Sequence, residues 1–568
     1  MKNQEVAKIF REIAKILELK EDNPFRIRAY EKAAYNIESL GEDLETLAKE
    51  DKLTKISGIG EDLASKIKEI LDTGTLKYYE ELKSQTPAGL LKMMEIPALG
   101  PKTIKKIYDK LKIDTIEKLE EAAKKHLLSN IEGIREKTEE NILRGIELIK
   151  KGLERTPLYN ALLIANRFLE ELKKLKEVEK IEVAGSLRRK KETIRDIDIL
   201  IVSKKPSVVM ERFVSLDSVD KILAQGSTKS SIISKENIQV DLRVIEDKSF
   251  GSALMYFTGS KEFNIKIRQL AIKNNLKISE YGVFKNEKWI AGRNEEEIFS
   301  ILGLSYIEPE LREDRGEIEL ALLNKLPKIV KLEDIKGDLH VHSNYSDGFL
   351  SLQEIYNEAL RLNYSYIGIC DHSQGLKVAK GLSKDALYRK KEEIEKINKK
   401  GKLRLLFGTE VDIDSSGNLD YPDSILKEFD LVIAAIHTGF KQSKSQLTKR
   451  IINACKNKYV NIIAHPTGRL FKTREPYEID LKEILKVCSD YNVALEINCY
   501  PDRLDINDLG ALEAKKANVK LSLGTDTHNK EHLNAIELGL AIARRGWLEK
   551  NDLLNCMDID TLIKWLKK

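Results

Sequence analysis

Six histidines stand at or just after the ends of successive apolar runs in the C-terminal part of the sequence: His340 and His342 in DLHVHS, His372 in YIGICDH, His437 in LVIAAIH, His465 in NIIAHP and His528 in GTDTH. The whole chain of 568 residues holds eight. One histidine at a strand end is ordinarily satisfied by a hydrogen bond, whereas six at corresponding places in successive runs point to a shared ligand. Strand side chains alternate, so His340 and His342 are expected on one face with Leu339 and Val341 on the other, and Asp526 with His528 repeats the spacing. Glu410 ends the run LRLLFGTE, and Asp347 and Asp371 fall in loops. Imidazole and carboxylate together suit Zn2+, Mn2+ or Fe2+. The six imidazoles with Asp347, Glu410 and Asp526 make nine candidate ligands, too many for one ion and enough for two or three bridged by carboxylates.

A second group lies earlier. Asp196 and Asp198 occur as DID within IRDIDIL, and Asp241 within QVDLR. A strand puts the first two on one face within reach of one hard cation. With Asp241 beside them, three carboxylates can hold two Mg2+ ions, one acidifying a 3′-hydroxyl and one gripping a triphosphate. Upstream, in GSLRRKK, Gly185 and Ser186 would give backbone and hydroxyl contact to phosphates, with Arg189 as counter-charge. A DxD pair alone more often solvates a surface; the GS turn before it and the third strand aspartate after it argue for a site.

The elements that must position these groups follow from periodicity. After residue 337 seven apolar runs (DLHVHS, YSYIGICDH, LRLLFGTE, DLVIAAIH, VNIIAHP, VALEINC, VKLSLGTDTH) alternate with helical stretches such as SLQEIYNEALRL. That pattern predicts a parallel sheet closed into a barrel related to the (β/α)8 type, with its chemistry at the C-terminal strand ends. From about 153 to 315 a long helix, LYNALLIANRFLEELKKL, precedes the short β-rich runs IEVAGS, DIDILIV and IQVDLRVI, an α+β layer. The first 150 residues are helical and repeat a motif: ISGIG before EDLASKIKEIL, IPALG before PKTIKKIYDKL, and IEGI before REKTEENILRGI. This is a helix-hairpin-helix pattern in which Gly58, Gly60 and Gly100 let N–H groups at a helix N-terminus approach a phosphate. The third copy has Arg135 in place of a glycine, and no DNA contact is expected there.

Bulk composition bounds the rest. Hydrophobic content of 42% with 33% charged residues is globular, and the length implies several domains. The longest apolar runs, such as LVIAAI, fall far short of the ~20 residues of a membrane span. The N-terminal MKNQEVAKIFREIAKIL spreads its charges as an amphipathic helix without a signal-peptide core, so a cytoplasmic, nucleoid-associated protein is expected. The five cysteines are late and scattered, which suits reduced core thiols. A net charge of +5 is modest, so a nucleic-acid partner rests on local clusters such as Arg188–Lys191.

The segments DLHVHSNYSDG, CDHS, GTEVD, AIHTG, AHPTG and GTDTH resemble the PHP (polymerase and histidinol phosphatase) family over 337–568. The resemblance implies a (β/α)7 barrel with a trinuclear site. His340, His342, Glu410 and Asp526 would hold one ion, Asp347, His372 and His528 a second, and His437 and His465 would share Glu410 around a third. The metals would be Mn2+ or Zn2+, activating water toward phosphorus. His532 and His126 match no motif and are expected at the surface.

Residues 251–268, GSALMYFTGSKEFNIKIR, together with GSLRR and DID, resemble family X DNA polymerases of the DNA polymerase beta type over about 1–315. That likeness implies gap-filling synthesis on gapped or primer–template DNA from dNTPs, with Mg2+ held by Asp196, Asp198 and Asp241, the last as the base-side carboxylate. Tyr256 and Phe257 in the YFTGS stretch, with Gly259, would line the sugar pocket, Tyr256 near the 2′ position. Asn264 would contact the incoming base or sugar edge and Arg268 the template minor groove. Lys66 matches the Schiff-base lysine of a 5′-deoxyribose phosphate lyase, yet Asp62 and Phe25 stand where relatives carry phosphate-holding basic residues, so Lys66 is expected as a DNA phosphate contact. Arg195 replaces a small residue near the γ-phosphate, and Gln239 an arginine beside the third carboxylate.

The expected organisation is a multidomain chain: 1–80 a helical lyase-like DNA-binding domain, 81–152 helical fingers, 153–245 a nucleotidyltransferase palm, 246–315 a thumb and nucleotide-selection subdomain, 316–336 a linker and 337–568 the PHP barrel. The barrel would act as a 3′→5′ exonuclease with AP endonuclease or 3′-phosphatase activity, in a monomer without membrane contact. The hairpin repeats argue against a phosphoesterase for small molecules, which have no use for backbone phosphate grips.

Overall fold

The computed structural model describes residues 2–38, 44–56, 58–94, 96, 99–150 and 155–567. The chain divides into two units, residues 1–154 with 472–474, and the remainder of 155–568. The expected boundary at 152/153, and residues 57, 97 and 98 of the hairpin turns, lie outside the described residues.

The first unit is helical. Helices Lys2–Leu19, Pro24–Glu38, Glu61–Thr73 and Lys77–Ser84 enclose Phe10, Ile13, Tyr30 and Ile67. Helices Pro101–Leu111, Ile116–Lys124 and Glu136–Lys150 enclose a second cluster around Ile104, Ile107, Leu119 and Ile142. Each helix buries one apolar stripe, and packing of that stripe holds it.

In the second unit a five-stranded sheet is built from β1 (Lys180–Val183), β2 (Asp196–Val202), β3 (Val219–Gln225), β4 (Lys229–Ser234) and β5 (Gln239–Ile245). Its order is β1-β2-β5-β4-β3, and β2 and β5 run parallel with Asp198 opposite Asp241. Helices Leu158–Lys173 and Pro206–Val214 contribute Phe168 and Phe213 to the apolar cluster that holds Ile197, Ile199, Val240 and Leu242. Alternation then leaves the aspartates on the opposite face. Helices Phe250–Thr258 and Lys261–Lys273 follow, then a small antiparallel sheet of β6 (Lys277–Ser279), β7 (Gly282–Lys285) and β8 (Lys288–Ala291). Helix Glu295–Ile301 is capped by Asn294, whose side chain accepts from the Glu297 amide.

The C-terminal part holds seven parallel strands in sequential order: β9 (Gly337–Val341), β10 (Tyr366–Ile369), β11 (Arg404–Asp412), β12 (Leu431–Ala435), β13 (Ile462–Ile463), β14 (Ala494–Asn498) and β15 (Leu521–Gly524). All seven coincide with the predicted runs. The barrel nearly closes, since the His342 amide donates to Thr527 O at 2.9 Å and the Asp526 amide to His340 O at 2.8 Å. The terminal helix Ile559–Leu566 packs Leu562 and Leu566 among Tyr366, Leu431, Ile462 and Ala494 at the strand starts. Chemistry is thereby left to the opposite, C-terminal ends.

One expectation is corrected here. Leu339 and Val341 do not share a core: Leu339 joins the inner cluster, Val341 the outer one, and the β9–β10 register shifts between Asp338 and Val341. The segment 316–336 begins with helix Glu317–Leu322 and runs on as an extended stretch to the barrel. After helix Glu317–Leu322 its backbone is bonded to the barrel, Val330 N to Leu548 O at 2.9 Å and Lys336 N to Asn555 O at 2.7 Å. One apolar cluster runs from the five-stranded sheet and its helices to the outer barrel core.

Candidate metal centres and nucleotide pocket

Gly185, Ser186, Arg189, Asp196, Asp198, Tyr256, Phe257, Gly259, Asn264 and Arg268 all line one cavity of about 490 Å3. Ten positions far apart in sequence meet there because β2 delivers the carboxylates while helix Phe250–Thr258 and the start of Lys261–Lys273 close the other side. Asp241 comes in from the neighbouring strand, with Oδ1 accepting from Gln239 Nε2 at 2.9 Å. Burial, with the charges of Asp196 and Asp241, pushes the Asp198 carboxyl up to about 7. A divalent cation is what relieves a buried carboxyl crowded by two other acids in this way. Arg195 and Lys191 also line the cavity, as do Arg155 and Lys261, which sequence reasoning left aside.

Tyr256 is half-buried and set edge-on to Phe257, with ring centroids 5.1 Å apart. Asn264 Nδ2 donates to Tyr256 O at 2.7 Å, and Arg268 Nε to Asn264 O at 3.3 Å. In the first unit Gly60 and Gly100 are the N-caps of their helices, and a Cβ on either would meet nothing within 4 Å. Gly58 has φ +78°, a conformation that favours glycine. Lys66 is ion-paired with Asp62 and sits 5.6 Å from the Tyr78 ring centre, while Phe25 is 77% exposed.

In the barrel the nine candidate ligands converge at one rim. Three groups have ligand atoms close enough to share an ion: His342, Asp347, His372 and His528; His340, His342 and Asp526; and His372, Glu410 and His437. His342 and His372 thus each serve two groups. His465 is absent from the third, although its Nε2 lies 2.9 Å from Glu410 Oε1. Glu410 is 1% exposed and central to the rim, its Oε2 2.9 Å from His372 Nδ1 and 3.6 Å from both His340 Nε2 and His342 Nε2.

The residues fit metal ions on their own chemistry. His342 Nδ1 and His465 Nδ1 are buried without a hydrogen-bond partner, and His372 Nδ1 and Glu410 Oε2 meet at 2.9 Å without hydrogen-bond geometry, a costly state for polar atoms. His340 Nε2 and His342 Nε2 face each other at 3.1 Å. Without a cation the carboxylates are balanced by protons instead. Burial opposes the charged imidazoles, yet Glu410 and Asp412 raise His437 to about 9, and Asp347 and Asp526 do the same for His528. His342, dominated by burial and by His528 and His372, falls to about 4.

The supporting groups were not foreseen. Glu496, inside VALEINC, lies 2.6 Å from His340 Nδ1 and accepts from the His465 amide at 2.8 Å, which turns His340 Nε2 toward the cluster. Its signal was an acid between Leu495 and Ile497 in a fully buried strand. Asp412 steers His437 through Nδ1 at 3.1 Å, and Arg503 Nε lies 3.4 Å from Asp526 Oδ2. Asp371 is not among the three groups; Ser343 N and Oγ, Ser346 Oγ and Lys390 Nζ occupy its carboxylate at 2.7–2.8 Å. The surface expectation holds for His126, 75% exposed against Glu139. It fails for His532, which is half-buried edge-on to Tyr500 with Nδ1 enclosed.

Comparison with known proteins matches this architecture. Family models for a helix-hairpin-helix domain, a SAM-like helix-hairpin-helix tandem, the DNA polymerase beta thumb and the PHP domain match residues 1–76, 90–147, 253–313 and 338–499. The DNA polymerase/3′-5′ exonuclease PolX of Bacillus subtilis (strain 168) is 38% identical over 573 residues, covering 100% of both chains. A "Probable phosphatase" of Thermoanaerobacter sp. (strain X514) is 30% identical over 246 residues, 41% of this chain and 94% of that protein. Another from Caldicellulosiruptor bescii is 30% identical over 213 residues, 36% of this chain and 84% of that protein. The chain belongs to the family X DNA polymerases that carry helix-hairpin-helix domains and a C-terminal PHP domain.

Proposed function

We propose that this chain fills short gaps in DNA during repair by nucleotidyl transfer at the palm and removes 3′-terminal nucleotides at the barrel. The observation that carries the reading is the pairing of two distinct ligand sets: an all-carboxylate set, Asp196, Asp198 and Asp241, on adjacent parallel strands, and an imidazole-rich set at the barrel rim. Carboxylates alone favour Mg2+, and imidazole-rich sets favour Mn2+ or Zn2+.

At the palm, Mg2+ would neutralise the triphosphate and acidify the primer hydroxyl. The protein's own groups do the rest. Asp241, with Oδ1 held by Gln239, offers Oδ2 as acceptor of the 3′-hydroxyl proton. Ser186, the Gly185 backbone and Arg189 hold the phosphates. Tyr256 and Phe257 form the wall beneath the sugar, with Tyr256 excluding a 2′-hydroxyl. Asn264 spends its Nδ2 on Tyr256 O and presents Oδ1 to the base or sugar edge, and Arg268 reaches the template minor groove. Gly58, Gly60, Gly100 and Lys66 grip the DNA backbone. The working divisions are 1–80, 81–152, 153–245, 246–315 and 337–568.

At the barrel, His340, His342, Asp347, His372, Glu410, His437, His465, Asp526 and His528 would hold up to three ions, which supply an activated water and stabilise the leaving oxygen. Glu496 and Asp412 fix the orientation of His340 and His437. The same rim suits a 3′-phosphate or an abasic-site phosphodiester. The protein works as a cytoplasmic, nucleoid-associated monomer.

The test uses one-nucleotide-gapped and 3′-tailed DNA. Gap filling in Mg2+ with dNTPs and tail shortening in Mn2+ are expected. Hydrolysis of a small aryl phosphate ester with no action on either DNA would overturn the reading.

A further inference from the structure

Arg189, which this reading assigns to the triphosphate, is not held by the palm alone. Its Nη1 donates to Thr258 O, and its Nε donates to Glu313 Oε1 at 2.9 Å. That carboxylate oxygen also accepts from Arg545 Nη1 at 2.9 Å, and Arg545 Nη1 reaches Arg189 O at 2.8 Å. Arg545 is the last residue of helix Ile536–Arg545, in the barrel part of the chain, and its side chain is 3% exposed. Its Nη2 is anchored on Asp508 Oδ2 at 2.6 Å, a carboxylate shared with Arg315 Nη2 at 2.9 Å. Asp508, Arg545, Glu313 and Arg189 therefore form a row of alternating charge from a barrel helix to the nucleotide cavity.

We propose that Arg545 is a positioning residue for the polymerase reaction: the barrel's arginine sets both the aim and the free positive charge of Arg189. The inference rests on the reading of Arg189 as a triphosphate contact. Glu313 has two effects on Arg189: it orients the guanidinium, and it neutralises part of the charge that a phosphate would use. A second guanidinium on the same carboxylate oxygen divides that neutralisation. Lys191 Nζ, 3.4 Å from Glu313 Oε2, adds a third cation. Although burial raises it, the three cations hold the Glu313 carboxyl below its ordinary value, so the acid stays charged within the row. The Arg545 bond to Arg189 O fixes the backbone from which the side chain departs. A planar fork is needed to meet the Glu313 and Asp508 carboxylates at once, which lysine cannot do.

Loss of Arg545 should raise KM for dNTP about tenfold, the effect of one charge-assisted contact, with kcat within about twofold. The full-length chain is compared as wild type, R545Q, R545K, R189Q and R189Q/R545Q, in gap filling and in 3′-tail shortening. R545Q is expected to raise KM for dNTP and to leave tail shortening unchanged, and R545K to recover part of the loss. Because Arg545 acts through Arg189, the double variant should be no worse than R189Q alone. A wild-type KM in R545Q, or losses that multiply fully in the double variant, overturns the proposal. If R545Q loses tail shortening as well, R545K decides, and a KM within about twofold of wild type in that variant overturns it. An unchanged KM in R189Q instead refutes the assignment of Arg189, which separates the two failures.

Discussion

Gly185→Ala is a sharp probe of the palm because the structure says where the added carbon goes. Gly185 has φ +64° and its Cα faces the Asp198 carboxylate: a Cβ there would overlap Oδ2, with Cγ at 3.4 Å and Asp198 Cβ at 3.6 Å. A left-handed alanine costs about 1–2 kcal/mol, small against the ~5–15 kcal/mol that keeps a domain folded, so the variant should fold. Relief of the overlap requires the carboxylate to withdraw by about 1 Å, and a displacement of that size costs ~100-fold in rate when the moved group orders the reaction. Steady-state filling of a one-nucleotide gap should therefore fall about 100-fold. Shortening of a 3′ tail by the same preparation, at a site that makes no use of Gly185, should be unchanged. Gap filling within about threefold of wild type would refute the placement of Asp198 in the reaction, and equal loss of both activities would show a folding defect in place of a displaced ligand.

Three further outcomes follow from the geometry. Glu295 is 4% exposed and is bonded by Arg188 at 2.7–2.9 Å and by Arg312; against burial, these guanidiniums hold its carboxyl at about 2. A depressed carboxyl contributes stability that is complete above about 4.5 and is lost as pH falls toward about 2, so Glu295→Gln should cost about 3 kcal/mol at neutral pH and progressively less in acid, read from denaturant unfolding. At the barrel, His437 and His528 stand at about 9 in the metal-free protein; Mn2+ must displace their protons, so affinity should rise with pH up to about 9, and calorimetry in two buffers of different ionisation enthalpy should register proton release. Glu496→Gln weakens the partner of His340 Nδ1 and should lower Mn2+ affinity about 10–100-fold with gap filling unchanged.

How far the sequence could be read depended on the range of each interaction. The seven barrel strands were legible because strand periodicity is local. The i, i+2 spacing was a poorer guide: Asp526, at φ +52°, and His528 stand beyond the end of β15 and fall in different ligand groups. Asp241 was legible as a strand residue, but its register opposite Asp198 is a tertiary fact. What escaped notice was held by single long-range contacts. Glu496 reaches His340 across 156 positions, and Arg469 reaches Glu192 across 277 at 2.7–3.0 Å. No spacing rule announces such pairs, since partners so far apart in sequence share no local pattern. His532 was misjudged for the same reason: its burial comes from Tyr500, on another loop. The division of ligands among three groups also could not be fixed from motifs, because His342 and His372 each lie between two clusters.

The claim that two independent centres act on DNA is tested most directly by exchanging one ligand in each. Asp198→Asn and His342→Ala are assayed side by side on gapped and 3′-tailed DNA, in Mg2+ and in Mn2+. The first should abolish gap filling and spare tail shortening, and the second should do the reverse. Loss of both activities from either single substitution would contradict the account.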